Sequence, residues 1–191
     1  MRIEKLRQNY EIDVDLVHFP LHPETPAEGM TLEALFAGRA DPATRKARQE
    51  RMTALMKEEG LPYGDRTHTY NSRLAQELGK WADTQPGGEA IHDALYKAYF
   101  VGKRNIGDIE VLVDIAQAVG LSAEAARKVL VERTFKAAID ADWANSRKVG
   151  VTGVPTFAAG GYGVVGAQPY EALEELMVAV GAKKRSGAGG G

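Results

Sequence analysis

Apolar residues recur at helical spacing through the middle of the chain. Leu74, Leu78 and Trp81 fall at i, i+4 and i+7, and Ile91, Leu95 and Ala98 repeat the interval. Ile109, Leu112, Val113 and Ala116 form a cleaner stripe that stops at Gly120, a good residue just past a helix end. Ser122 suits the N-cap of the next helix, with Glu124 in its first turn, where negative charge complements the helix dipole. A further helix is expected over Thr134 to Lys148, with Phe135, Ile139 and Trp143 on related faces. Before these, Pro42 to about Glu59 reads as a charged helix with Met52, Leu55 and Met56 inward, closed by Gly60. Each stripe is most simply core packing.

The period changes near the two ends. Ile12-Asp13-Val14-Asp15-Leu16 alternates apolar and acidic residues and runs on through Val17 and Phe19 to Pro20, which predicts a strand. Thr156 to Ala159 and Tyr162 to Val165 are short runs joined by Gly160-Gly161, which predicts a hairpin with a primed turn. Gln168-Pro169 then opens a last helix, with Leu173, Leu176, Met177 and Val180 on one face. The order points to one α/β unit, residues 1–29 and 141–185, carrying an all-helical insertion over 30–140. A glycine-rich flexible tail over 186–191 closes the chain.

Composition narrows the function classes. Hydrophobic residues at 44% and charged residues at 26% are ordinary for a globular domain, and a net charge of -2 gives no reason to expect nucleic acid or an anionic membrane as partner. The one basic run, Lys183-Lys184-Arg185, reads as a solvated helix end. The charged N-terminus has no apolar core of a signal peptide, and no apolar run reaches the ~18–20 residues of a membrane span, so a cytoplasmic protein is expected. The chain has no cysteine, which excludes disulfides, thiolate metal sites and thiol catalysis by this chain alone.

Four candidate chemistries are weak. His18 and His22 have a metal-pair spacing, but Pro20 and Pro23 prevent the helix that would align them, and a polar loop is the simpler expectation. His92 and Tyr96 are helix neighbours, more often packing than acid–base chemistry. Asp83, Glu89 and Asp93 are a solvated face by spacing. Gly160-Gly161 joins two strands and does not open a helix, so it is no phosphate loop.

The most specific stretch is Gly150-Val151-Thr152-Gly153-Val154-Pro155-Thr156-Phe157, followed by the hairpin and Gly166-Ala167-Gln168-Pro169. Pro155 lacks a ladder donor and belongs at the start of a strand or on an edge. This signature resembles the C-terminal motif of DsbA-family proteins of the thioredoxin superfamily, particularly the FrnE-like branch. Tyr99-Phe100, Gly102 to Ile106, Asn71 to Ala75 and His18 to Pro23 are similar to further segments of that family, so the likeness covers nearly the whole chain. Gln76 departs from it, standing where a histidine is frequent. The resemblance implies a thioredoxin-like fold with a helical insertion and a cis proline at Pro155. It further implies that Thr152, Gly153, Val154 and Pro155 bind substrate, with the Val154 backbone offered to an extended peptide or to glutathione.

The family begins with a strand leading into Cys-Pro-x-Cys at a helix N-terminus, where the dipole lowers the thiolate pKa. Here Met1 matches the interior of that helix, so no catalytic residue is assigned and the dithiol segment is expected upstream. That first strand lies centrally in the family's sheet. Without it, strand 12–19 and strand 156–159 would leave buried N–H and C=O groups unpaired, at roughly 1–3 kcal/mol each.

Three functions follow as expectations. The first is the body of a protein disulfide oxidoreductase or isomerase acting on protein or peptide thiols and disulfides, redox-inactive as a cysteine-free chain and needing no cofactor. The second is a glutathione-dependent isomerase or transferase of the hydroxychromene-carboxylate isomerase or kappa type, with glutathione as partner. The third is a non-catalytic peptide-binding or chaperone module, for which a homodimer is one open assembly.

Overall fold

A computed structural model describes residues 2–38 and 41–186. In chain order the elements are α1 (Arg2–Asn9), β1 (Met30–Thr31), α2 (Leu32–Leu35), α3 (Pro42–Glu58), β2 (His68–Thr69), α4 (Arg73–Ala82) and α5 (Ala90–Phe100). They continue with α6 (Ile109–Ala118), α7 (Ala123–Glu132), α8 (Lys136–Lys148), β3 (Thr156–Ala159), β4 (Tyr162–Val165) and α9 (Tyr170–Ala179). Contacts divide the chain into two units: residues up to Leu21 with those from Asp142 onward, and His22–Ala141.

The His22–Ala141 unit is helical, and local chemistry sets its helix ends. The Asp41 carboxylate caps α3 by accepting from the Thr44 backbone N–H at 3.0 Å, with Pro42 in the first turn. Asp108 caps α6, and Ser122 caps α7 by accepting from the Ala125 N–H at 3.2 Å. Gly120, with φ 84°, takes the left-handed turn between them. The core is built from the expected stripes: Leu78, Ile91, Leu112 and Ala116 are fully buried, joined by Ala126 and Leu130. β1 and β2 add a two-residue antiparallel pair that periodicity did not signal.

α3 departs from expectation. No residue on it is fully buried: Leu55 and Met56 are half-buried, but Met52 is 39% exposed, so its inward placement is corrected. The reason lies in the surrounding chain. Arg45 and Arg48 share the face of Met52 and dilute its apolar stripe, while the Tyr96 hydroxyl of α5 donates to Met56 Sδ at 3.6 Å on the half-buried side.

In the other unit α9 packs against both α1 and the β3–β4 hairpin. Leu6, Tyr10, Leu173, Leu176 and Met177 make its core, with Ile12, Phe157 and Val164 packed against it. The hairpin register pairs Thr156 with Val165 and Ala159 with Tyr162. Gly160 (φ 53°) and Gly161 (φ 85°) both take the left-handed conformation that a two-residue primed turn demands.

The strand expected over residues 12–19 does not form. Among the described residues the sheets are β1–β2 and β3–β4 alone, and residues 11–20 lie outside both. Alternation supplies a strand's two faces, but a strand also needs a neighbour to complete its ladder. No described residue hydrogen-bonds the backbone from Ile12 to Val17. Val14, Leu16 and Val17 are exposed, so these groups face water and escape the cost of dry burial.

The basic run Lys183-Lys184-Arg185 keeps its side chains exposed, as expected, but it is not a helix end. It lies antiparallel to residues 9–11 through a Tyr10–Lys184 bridge, with Glu11 N–H donating to Lys183 C=O at 2.8 Å and Arg185 N–H to Asn9 C=O at 2.9 Å. Lys184 also pairs with Glu174 at 3.1 Å, and the buried Tyr10 hydroxyl donates to Glu174 at 3.0 Å. Burial, then Glu174, pushes the Tyr10 phenol up. The Lys184 ammonium and the Tyr10 hydroxyl hold Glu174 below the usual carboxylate range. The glycine tail over 187–191 lies outside the described residues. Among the described residues no helix is long and apolar enough to cross a membrane.

Candidate functional site

α8 delivers the chain to the candidate site through a glycine-terminated cap. Gly150, at φ 76°, allows its N–H to reach Arg147 C=O and the Val151 N–H to reach Ser146 C=O, closing the helix and releasing the chain. Thr152, Gly153, Val154 and Pro155 then form the irregular link between α8 and β3. The Val154–Pro155 peptide is cis. Two contacts hold the link: the Thr156 hydroxyl donates to Gly153 C=O at 2.7 Å, and the Gly166 N–H donates to Pro155 C=O at 2.8 Å.

The remaining backbone of the link is open. Val154 is 52% exposed, and among the described residues its N–H and C=O have no hydrogen-bond partner, nor do those of Thr152. Around a Cβ placed on Gly153 no atom lies within 4 Å, so the backbone there is approachable. The exposed apolar side chains of this unit include Val14, Leu16, Val17, Leu21, Val149, Tyr162 and Val165 as well as Val154. An extended chain segment could pair with such backbone as an added strand, while its side chains use the apolar surface.

His18 belongs to the same unit as the link. Its ring Nδ1 lies 3.0 Å from Asp142 Oδ2, and its backbone N–H donates to the same oxygen at 3.2 Å. The Ser146 hydroxyl donates to the carbonyls of His18 and Asp142. Asp142 thus fixes both the ring and the backbone of His18. A separation of 124 residues hid this pairing from sequence spacing. Among the described residues no group of three or more His, Asp or Glu side chains is placed to hold a metal ion. A surface depression of about 530 Å³ on α9 is lined by Glu171, Glu174, Glu175, Val178, Ala179 and Lys184, and none of the four link residues lines it.

In the helical unit, His22 faces Glu24 at 3.6 Å and His92 Nε2 meets Asp83 Oδ1 at 2.6 Å. Asp93 pairs with Lys97 one turn on, and the Tyr96 hydroxyl donates to Pro62 C=O. The His92–Asp83 contact spans a helix end and was not legible from helical spacing.

A model of the DSBA-like thioredoxin domain matches residues 1–178. The chain superimposes on the crystal structure of a probable DsbA oxidoreductase from Streptomyces coelicolor with a TM-score of 0.85 and 28% identity, over 94% of this chain and 82% of that one. A putative protein disulfide isomerase from Nitrosomonas europaea shares the fold at a TM-score of 0.58 and 16% identity, over 73% of this chain and 74% of that one. Among curated proteins, the uncharacterized protein YwbO of Bacillus subtilis is 28% identical over 111 residues, which is 58% of this chain. That match spans only 55% of the relative's own length. The fold is therefore a DsbA-like thioredoxin fold, largely helical with few strands.

Proposed function

We propose that this chain, which belongs to the family of DSBA-like thioredoxin domains, is the substrate-binding body of a protein disulfide oxidoreductase or isomerase of the FrnE-like branch. The observation that carries the reading is the open backbone of Thr152 and Val154, with the Val154 side chain itself exposed. An extended peptide bearing a thiol or disulfide pairs with the Val154 N–H and C=O, and Val154 and Val165 supply apolar contact. The exchange reaction needs a thiolate nucleophile, and the chain contains no cysteine, so by itself it binds without exchanging.

The test has two parts. In an insulin-reduction assay with dithiothreitol, the cysteine-free chain should leave the rate at that of buffer. Catalysed turnover would sink the claim of redox inactivity. In a binding titration, the reduced insulin B chain should saturate the protein, and Val154→Asp should weaken it about tenfold by placing a charge on the apolar contact. Absence of saturable binding to the native chain would overturn the peptide-binding reading. Glutathione, the partner under the isomerase alternative, is titrated beside it. Tight glutathione binding without peptide binding would favour that alternative.

A further inference from the structure

Arg66, in the helical unit, is a half-buried cation with no counter-charge among the described residues. Its guanidinium lies over the Tyr99 ring at 4.6 Å and near the Phe100 ring at 5.3 Å, and it donates one hydrogen bond to the Tyr99 hydroxyl. Arg73, Arg104, Arg127 and Arg133 of the same unit each reach a carboxylate, whereas no described carboxylate reaches Arg66. Its Nε is enclosed and unpartnered, and apart from the bond to Tyr99 its other donors have no acceptor among the described residues. Burial holds its pKa below the ordinary arginine value, the direction expected of a desolvated cation lacking an anionic neighbour.

The surroundings are aromatic. Tyr96 and Tyr99 lie 4.9 and 4.8 Å from Phe100, and Tyr63 lies 5.7 Å from it. The Tyr99 hydroxyl is held in turn by Thr69 Oγ1 at 3.2 Å. These side chains are half-buried except Thr69, so the cluster has an accessible side. Cation–π contact offsets part of the cost of desolvating Arg66, but an arginine fork is completed by a planar oxyanion. Flat apolar walls beside that fork favour a ligand whose charge is attached to an apolar body.

We propose that Arg66, Tyr99 and Phe100 form a binding site for a carboxylate carried on a small apolar body. The inference does not depend on the peptide reading, since it rests on a different group of residues. Arg66 binds the carboxylate, the Tyr99 hydroxyl orients the guanidinium, and the rings of Phe100 and its tyrosine neighbours enclose the apolar part.

The test is an NMR titration of the full chain with phenylacetate, read on the Arg66 Nε–H and the Tyr99 and Phe100 ring resonances. Saturable shifts centred on these residues are expected, with 2-phenylethanol and inorganic phosphate at least about tenfold weaker. Arg66→Gln should weaken phenylacetate by at least about tenfold, and Arg66→Lys should fall between, because it keeps charge but loses the fork. Should Arg66→Gln fail to fold, Tyr99→Phe keeps the ring and should weaken binding several-fold. Equal binding of the neutral alcohol, unchanged affinity in Arg66→Gln or Tyr99→Phe, no saturation, or shifts remote from Tyr99 and Phe100 would each overturn the proposal.

Discussion

Arg133 grips the carboxylate of Glu77 in a two-pronged fork, Nε to Oε2 and Nη2 to Oε1, both at 2.7 Å. Glu77 lies on α4 with no solvent exposure, and Arg73 Nε adds a third bond at 2.7 Å. Arg133 ends α7 in a left-handed conformation, φ 55°, uncommon for a residue with a side chain. The fork ties that strained helix end to α4. Replacing Glu77 by Ala leaves two arginines without their shared acceptor and should cost about 3–5 kcal/mol. Arg133→Lys, which keeps the charge and loses the fork, should cost less. Urea unfolding of the three proteins checks the order.

The same carboxylate predicts acid sensitivity. Burial pushes Glu77 up, but hydrogen bonds and charge from Arg133 and Arg73 outweigh it and hold the group below its ordinary value. A lowered folded-state pKa contributes stability that is present above the unfolded glutamate value. That stability is lost as pH falls through the lowered folded one. The urea midpoint should therefore drop below about pH 4.3, and Glu77→Gln, already uncharged, should show a shallower drop over that window.

The hairpin turn separates two costs. Gly161 has φ 85° and open space where a Cβ would go, so Gly161→Ala should cost about 1 kcal/mol in backbone strain alone. Gly160 has φ 53°, and a Cβ there would stand 2.8 Å from Val180 Cγ1, so Gly160→Ala should cost more. Thermal melts of the two variants should rank in that order.

Burial predicts opposite outcomes for two residues that look alike in the sequence. Leu112 is fully buried and Leu112→Ala should cost about 2–5 kcal/mol, whereas Met52, at 39% exposure, should tolerate Ala within about 0.5 kcal/mol. A large loss at Met52 would restore the inward face that its spacing suggested.

Asp142 should control the segment that ends at His18. Asp142→Ala removes the acceptor shared by the His18 ring and backbone N–H. Hydrogen exchange at the His18 amide should accelerate, while exchange at Leu112, in the other unit's core, stays unchanged.

The stripes through Leu78, Ile91, Leu112 and Leu173, the cap at Ser122 and the Gly160-Gly161 turn were legible because each is a local property. A helix face, a cap and a tight turn depend on residues within a few positions of one another. The link Thr152 to Pro155 stood out through its resemblance to the DsbA-family motif. The sequence by itself thus determined which segments turn, cap and coil, and that the chain holds no thiol.

Tertiary structure decided everything that needs a distant partner. Residues 12–19 alternate as a strand should, yet a ladder requires a second chain segment at hydrogen-bonding distance, and none of the described residues provides it. Lys183 to Arg185 read as a helix end, but residues 9–11 give them backbone partners. Glu77 with Arg133, His18 with Asp142 and the uncompensated Arg66 are set by packing across 33 to 124 positions. Periodicity carries no record of such pairings. It fixes which way a side chain faces along its own element, and the fold alone fixes what stands opposite.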